Sequence, residues 1–370
     1  MPGEKSPGLG SSVLADFDKD GDLDFAVLVR NGPFLMFENR GRDGWAQHTI
    51  GEAAVVQLGS TALDVDRDGW TDIVIGGYWY RNPGKPAGKP FARYSYDSRI
   101  RTEIHDIATA DVNGDGRADL IVLGDREGCF WYNIPQEPAR DRDWPRTLIT
   151  DAVLNDKDDI HGGLAPNGVG DLDGDGDPDV FLTDRWMRND DKGARWTAQP
   201  VKFGKRGPWG LSSRAWVIDL DRDGDNDIVV MGSDQKESDA GWLENRNGGF
   251  RFHALPITAE PKGRGSFHSL AVADFDRDGD PDIATAEQED PSILPPGATP
   301  RFFLWLNLDG KGGRWQEHVI LDANTGGHDL KSGDIDGDGD IDIASKIWRR
   351  WPESGNQGRP HVDWLENQSR

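Results

Sequence analysis

The sequence predicts an all-β protein, a seven-bladed β-propeller of four-stranded antiparallel blades, and three observations predict it. An acidic nine-residue loop of the form Asp-x-Asp/Asn-x-Asp-Gly-x-x-Asp occurs seven times, starting at Asp16, Asp64, Asp111, Asp171, Asp219, Asp274 and Asp334. Successive copies lie 48, 47, 60, 48, 55 and 60 residues apart, a period that belongs to propellers and solenoids rather than to a conventional core. Short apolar strand-like segments flank the loops in a fixed order.

The loops come first because they carry the charge. Carboxylates at positions one, three and five of a tight turn point onto one small volume, and position nine closes it from the next strand. The expected metal ligands are Asp16, Asp18, Asp20 and Asp24 in the first loop, and Asp64, Asp66, Asp68 and Asp72 in the second. The third supplies Asp111, Asn113, Asp115 and Asp119, and the fourth Asp171, Asp173, Asp175 and Asp179. Asp219, Asp221, Asp223 and Asp227 follow, then Asp274, Asp276, Asp278 and Asp282, and finally Asp334, Asp336, Asp338 and Asp342. So many like charges at close range make sense around a divalent cation, and an all-oxygen set favours Ca2+, up to seven structural ions. The loop is not an EF-hand, since position twelve of the first copy is Val27 inside the strand-like run Phe25 to Val29. The sixth position is glycine in every copy, as a sharp turn with positive φ requires.

The charge supports the metal. Of 66 acidic residues, 27 are Asp at the ligand positions; the other 39 nearly balance 42 Lys and Arg. The formal charge of −24 therefore resides in the loops, and seven calcium ions would leave −10. No basic stripe offsets it, so nucleic acid is not an expected partner. No stretch is apolar and long enough for membrane insertion.

The remaining strands follow in order. An inner strand precedes each loop, as in Ser12 to Ala15 and Ser269 to Ala273, and a second follows it, as in Asp72 to Ile75 and Asp227 to Val230. A third ends in an aromatic and an Asn, as at Phe37 to Asn39, Trp79 to Asn82, Trp131 to Asn133 and Trp242 to Asn245. A fourth opens on an aromatic, as at Trp45, Phe91, Trp144, Trp196, Phe250 and Trp315. Most of the 15 Trp are therefore packing residues between blades. One cysteine, Cys129, excludes a disulfide framework and reads as a buried apolar residue.

The seventh repeat ends at Asn367 without an outer strand, and Met1 to Gly10 does not read as one. Either closure rests on side-chain packing or the natural chain starts earlier, which would also account for the missing signal peptide. The expected organisation is an extension over 1–10, one propeller domain over 11–367 and a tail over 368–370. Oligomeric state is not legible. Calcium loops imply a calcium-rich place, so a secreted or periplasmic location is expected.

These loops, with following strands such as Asp282-Ile283-Ala284 and Asp342-Ile343-Ala344, resemble the FG-GAP/VCBS repeat family over residues 11 to 367. The resemblance implies the propeller and its calcium. Related propellers serve as binding modules, and also in polysaccharide lyases and aldos-2-ulose dehydratase, where a metal and histidines act on a sugar by β-elimination.

The starts of the inner strands are the natural wall of a pocket on the face opposite the loops. His105, His268 and His328 each stand six residues before the first Asp of a loop, and His161 enters the same region. Arg214 and Lys331 add cations, so these six are the candidate catalytic residues of a carbon–oxygen lyase or dehydratase acting on a uronic-acid saccharide or keto-sugar. A histidine would remove the proton next to a carbonyl or carboxylate, and a cation would stabilise the enolate. Glu103, His161 and Glu287 are candidate ligands for an additional divalent metal there. Tyr78, Trp79, Asp184, Arg185, Trp186, Asp234, Gln235, Glu289, Lys346 and Trp348 are expected round the same mouth. The alternative is a non-catalytic, calcium-stabilised propeller that binds glycan or protein.

Overall fold

The computed structural model describes residues 8–52, 58–85, 89–152, 160–261, 263–295, 297–323, 325–349 and 361–368. Seven antiparallel sheets follow one another along the chain, each meandering from an inner strand outward. Blade one runs through Leu9–Ala15, Asp24–Val29, Pro33–Asn39 and Trp45–Glu52, and blade three through Ile104–Ala110, Asp119–Gly124, Gly128–Tyr132 and Arg146–Thr150. Blade five adds a short parallel segment, Pro166–Asn167, beside its inner strand Ser213–Ile218. A single 3-10 turn, Gly41–Asp43, is the helical element among the described residues.

Two expectations need adjusting. The first strand begins at Leu9, inside the expected extension, whose residues 1–7 lie outside the described ones, as do the last two of the expected tail. Blade seven shows three strands among the described residues, Asp329–Gly333, Asp342–Lys346 and Val362–Leu365, in line with the missing outer strand.

Alternation of apolar residues on both faces of each blade produces seven buried clusters, one at every seam. Val13, Phe34, Ile73 and Tyr80 share the seam of blades one and two, for example, and Leu220, Trp242, Ile283 and Trp305 that of blades five and six. The ring-closing seam holds Leu9, Phe25, Val27, Ile335 and Ala344. Closure therefore rests on side-chain packing, reinforced by Leu9 N–H donating to the Trp348 carbonyl at 3.2 Å.

The third-strand asparagines add a polar stitch across the same seams. Asn82 Nδ2 donates to the Phe17 carbonyl of the preceding blade at 2.8 Å, Asn245 to Leu172 at 2.8 Å and Asn367 to Phe275 at 2.8 Å. Asn39 donates to Ile335 at 2.6 Å, across the closing seam. The Asn that ends so many third strands is thus a blade-to-blade fastener. Cys129 is fully buried in the cluster between blades three and four.

Candidate functional site

Two regions gather chemistry, on opposite faces. In every loop the position-six glycine takes positive φ, from 82° to 100° at Gly21, Gly69, Gly116, Gly176, Gly224, Gly279 and Gly339, and its N–H donates to the position-one carboxylate. That turn draws positions one, three and nine together. Asp16, Asp18 and Asp24 offer oxygens within 4.8 Å of one another, and so do the matching residues of the loops at Asp64, Asp171, Asp219 and Asp274.

Position nine also staples the blade. Asp24 accepts Phe17 N–H at 3.0 Å with one oxygen and Asn39 N–H at 2.8 Å with the other. Asp227 does the same with Leu220 at 3.1 Å and Asn245 at 2.8 Å. Burial pushes these carboxyls up, to about 7 at Asp24, Asp72, Asp119, Asp179 and Asp227, against backbone N–H groups that favour the anion. Neighbouring carboxylates push the same way.

The position-five carboxylate stands apart from these triads. Its Oδ1 accepts the N–H of position seven, as in Asp22 to Asp20 at 3.0 Å and Asp225 to Asp223 at 3.0 Å. Asp66 Oδ1 and Asp274 Oδ1 are buried with no hydrogen-bond partner. Orphaned carboxylate oxygens converging with like charges fit a divalent cation, so these Asp triads could coordinate one. The third loop differs: Asn113 replaces one carboxylate and Arg117 grips Asp115 through two bonds of 3.0 and 2.6 Å.

On the other face, a cavity of about 560 Å³ opens at the channel mouth. His105, His161, Arg214, His268, His328 and Lys331 all line it. His105 and Arg214 reach it from the starts of inner strands, His268 and His328 from just before them, Lys331 from within one, and His161 from the segment after the isolated bridge of Ile160 with Leu211. Glu103, Asp234, Glu289, Lys346 and Trp348 line the same cavity.

Its wall is a column of flat groups. The Arg30 guanidinium sits 3.5 Å from the Trp348 ring, Trp348 stacks on His328 at 5.1 Å, and His328 stacks on His268 at 3.7 Å. The Arg214 guanidinium reaches both His268 ring nitrogens, at 3.1 and 3.2 Å. His105 and His161 form a second pair, with ring centroids 4.1 Å apart. Burial lowers His328 well below the ordinary imidazole value, and the nearby His268 and Lys346 lower it further. Burial likewise lowers His105. Burial lowers His161, yet it moves up, because the Nδ1 contact with Asp125 at 3.0 Å and the charges of Asp125, Asp234 and Asp106 together outweigh that burial.

Asp106 anchors the far side. One oxygen accepts three successive N–H groups, from Gly163, Leu164 and Ala165, each at 3.1 Å. The other meets His105 Nδ1 at 2.8 Å and Arg214 at 2.9 Å. Burial alone would raise this carboxyl, yet its contact with His105, the Arg214 guanidinium and the Ala165 N–H hold it well below the usual range. Asp106 was foreseeable, since His105-Asp106 and His328-Asp329 are adjacent pairs in the sequence. Trp209, 55% exposed on the Arg206–Gly207/Gly210–Leu211 hairpin that lines the mouth, carried no such signal.

Several expected mouth residues belong elsewhere. Trp79 and Trp186 are core residues, stacked on Tyr94 and edge-on to Phe250. Tyr78 lines a separate pocket with Arg93, and Asp184 pairs with Arg185 at 2.8 Å. Gln235 is buried, with Gly207 packed against it. The expected metal set of Glu103, His161 and Glu287 is not assembled. Glu287 is fully buried between Arg264 and Arg301, with the Arg301 contact at 2.9 Å, because two guanidiniums neutralise it there. Glu103 faces Arg30 at 3.5 Å. Arg214 and Lys331 are themselves paired, Lys331 with Asp329 at 2.9 Å. No helix among the described residues is long and apolar enough to cross a membrane.

The FG-GAP-like repeat family matches residues 16–75, 64–122, 171–230 and 219–285, more than half of the chain. No curated protein sequence matches. Among solved structures, an Agrocybe aegerita lectin, described for its specific recognition of non-reducing terminal N-acetylglucosamine, is similar at 19% identity, covering 84% of this chain and 80% of its own, with TM-score 0.53. A chain from the BBS1N–ARL6DN complex, in mercury-soaked crystals, is similar at 11% identity, covering 98% and 94%, with TM-score 0.54. At these identities the likeness shows the fold.

Proposed function

The chain belongs to the FG-GAP-like repeat family, and from that premise we propose that its propeller binds a carbohydrate at the channel mouth, with calcium in the Asp loops of the opposite face. The observation that carries the reading is the cavity of about 560 Å³ itself. It lies within the usual range for a small-molecule site and joins aromatic surface to convergent carboxylates, imidazoles and guanidinium. A sugar presents an apolar face to a ring and hydroxyls to charged edges. Trp209 offers an exposed ring; Asp234, Arg214 and the histidines offer the edges. The Agrocybe lectin is an example of the same fold recognising a sugar.

Calcium follows from the donor chemistry: every converging ligand is a carboxylate oxygen, suited to a hard cation with flexible geometry. Bound there, it would neutralise the like charges and hold position nine ionised. A protein so loaded works where free calcium is plentiful, outside the cytosol. The test is calorimetric titration with mono- and disaccharides, neutral, N-acetylated and uronic. Saturable binding that is lost on Arg214→Met supports the reading, and a flat panel overturns it.

β-Elimination on a uronic or keto-sugar is the second reading. Burial keeps His105 and His328 unprotonated near neutrality, the state a base requires. Either would take the proton next to the carbonyl while Arg214 or Lys331 stabilises the enolate. New ultraviolet absorbance from an unsaturated product, lost in His105→Ala, His268→Ala or His328→Ala, supports it; silence from sugars that bind overturns it.

A further inference from the structure

Lys346 ends the second strand of blade seven, 2% exposed, and its side chain lines the mouth cavity. The neighbouring cations are committed: Lys331 to Asp329 at 2.9 Å and Arg214 to Asp106 at 2.9 Å. No hydrogen bond or ion pair joins the Lys346 amine to a described residue; Nζ lies over the Trp348 ring, 5.7 Å from its centroid. Glu289 lines the same cavity and is half used. Its Oε1 accepts Trp348 N–H at 2.6 Å and Arg349 N–H at 3.3 Å, while its Oε2 is buried without a hydrogen-bond partner, 3.7 Å from His328 Nδ1. An unused buried amine and an unused buried carboxyl oxygen on one cavity are both costly unless a ligand completes them.

We propose that Lys346 captures carbonyl compounds covalently, forming an imine with the open-chain aldehyde or keto group of a sugar held in the mouth. This deepens the carbohydrate reading and rests on it. The Nζ lone pair attacks the carbonyl carbon, and the displaced π pair takes a proton from the Glu289 carboxyl to give a carbinolamine. The nitrogen returns its extra proton to Glu289. The hydroxyl then leaves as water with that proton as C=N forms, and the resulting iminium N–H passes its proton back to the Glu289 carboxylate. Amine plus carbonyl gives imine plus one water, with no oxidant or reductant.

The electrostatics agree. Burial lowers the Lys346 amine to about 8, against Asp329 and Glu289, which raise it; Lys331 and Arg214 lower it further. Burial raises Glu289, so it can hold the proton that the step needs. At pH 7 an amine of that acidity is neutral about one time in ten, against roughly one in 2,500 for an ordinary lysine.

The test is reductive trapping of the full chain with glycolaldehyde, small enough to enter whatever sugar the mouth prefers, and sodium cyanoborohydride at pH 7. Peptide mass spectrometry reads the modified lysine. The expected result is an adduct at Lys346 forming at least tenfold faster than at any exposed lysine, with a half-maximal rate near pH 8, and absent in Lys346→Met. Should that variant fail to fold, the pH profile of the wild-type peptide decides alone. Slow adducts spread over exposed lysines, or a midpoint near 10 at Lys346, overturn the capture. Titration with methyl galacturonoside, which has no free carbonyl, separates the two ideas. If it binds while Lys346 stays unmodified, the carbohydrate reading survives and the imine falls; if neither it nor the neutral and N-acetylated sugars bind and no adduct forms, both fall.

Discussion

The two faces of this propeller are built on opposite plans. On the loop face the same turn returns seven times, with glycine at position six and the same bond to position one. On the mouth face the corresponding inner-strand starts differ from blade to blade: Ser11, Ser60, His105, Arg214, His268 and Asp329 line one cavity. Blades one and two offer small neutral residues there, with Ser11 and Ser60 bonded to each other, while blades three to seven crowd in the ionisable groups. Repetition is what a ring needs to close. Divergence within a ring that could have repeated is what recognition of an asymmetric ligand needs.

Removing the metal should separate the faces most strongly. Each site loaded at a hundred times its dissociation constant adds ~2.7 kcal/mol, so a few sites rival the ~5–15 kcal/mol net stability of a domain. Chelation is expected to lower the melting temperature sharply and to leave the mouth residues chemically intact but unfolded with the rest. An unchanged melting curve in excess chelator would end the idea that the loops need an ion. The pH dependence should invert as well. Five of the position-nine carboxyls have folded values raised to about 7 from 3.8, so the folded state binds more protons between those limits. Metal-free protein should therefore lose stability as pH rises from 4 to 7. Calcium, which requires the anions, should make stability rise over the same interval. Melting scans at pH 5 and pH 7.5, with and without the ion, read the crossing.

Within the loop face, position nine should outweigh position five. Asp227→Ala strips the partner from two buried N–H groups, those of Leu220 and Asn245, at a cost of roughly 2–5 kcal/mol even without metal. Asp223 accepts at an exposed site where water can substitute, so Asp223→Ala should cost under about 1 kcal/mol in the metal-free protein. Equal losses in chemical denaturation would mean that the nine-residue loop has no privileged staple. The loops should also differ in metal affinity. The third, with Asn113 and with Asp115 held by Arg117, should load last in a calcium titration.

The propeller, its blade number and the Asp loops were legible in the sequence because each is written seven times, and a repeated signal survives local irregularity. The mouth was legible only in part. A fixed offset of six residues from the loops was enough to bring His105, His268 and His328 to one wall. It could not say what each residue would touch, since those partners come from other blades. Arg214 meets Asp106 across 108 positions of sequence, and Lys331 folds back on Asp329 two residues away. Glu287 read as a mouth carboxylate by position, and two arginines, one of them 14 residues on, claimed it instead. Trp79 and Trp186 were misplaced for a simpler reason. They sit where the connection between second and third strands begins to pack, and their rings turn into the seam rather than into the channel.

The smallest expected effect bears most directly on what the mouth is for. Trp209 touches solvent over 55% of its surface, beside a cavity whose other aromatic, Trp348, is already covered by His328 and Arg30. An exposed indole contributes little to folding, so Trp209→Ala should leave the melting temperature within about 1 °C of wild type, with a stability change inside ~0.5 kcal/mol. If a sugar stacks there, its loss should weaken binding by about 1 kcal/mol, five- to tenfold in dissociation constant, with uronic and neutral sugars affected alike because the ring face carries no charge. Arg214→Met should instead weaken acidic sugars more than neutral ones. A Trp209 variant that binds like wild type would leave the hairpin without a part in recognition. A variant that loses acidic sugars alone would mean that the hairpin acts through the charges behind it.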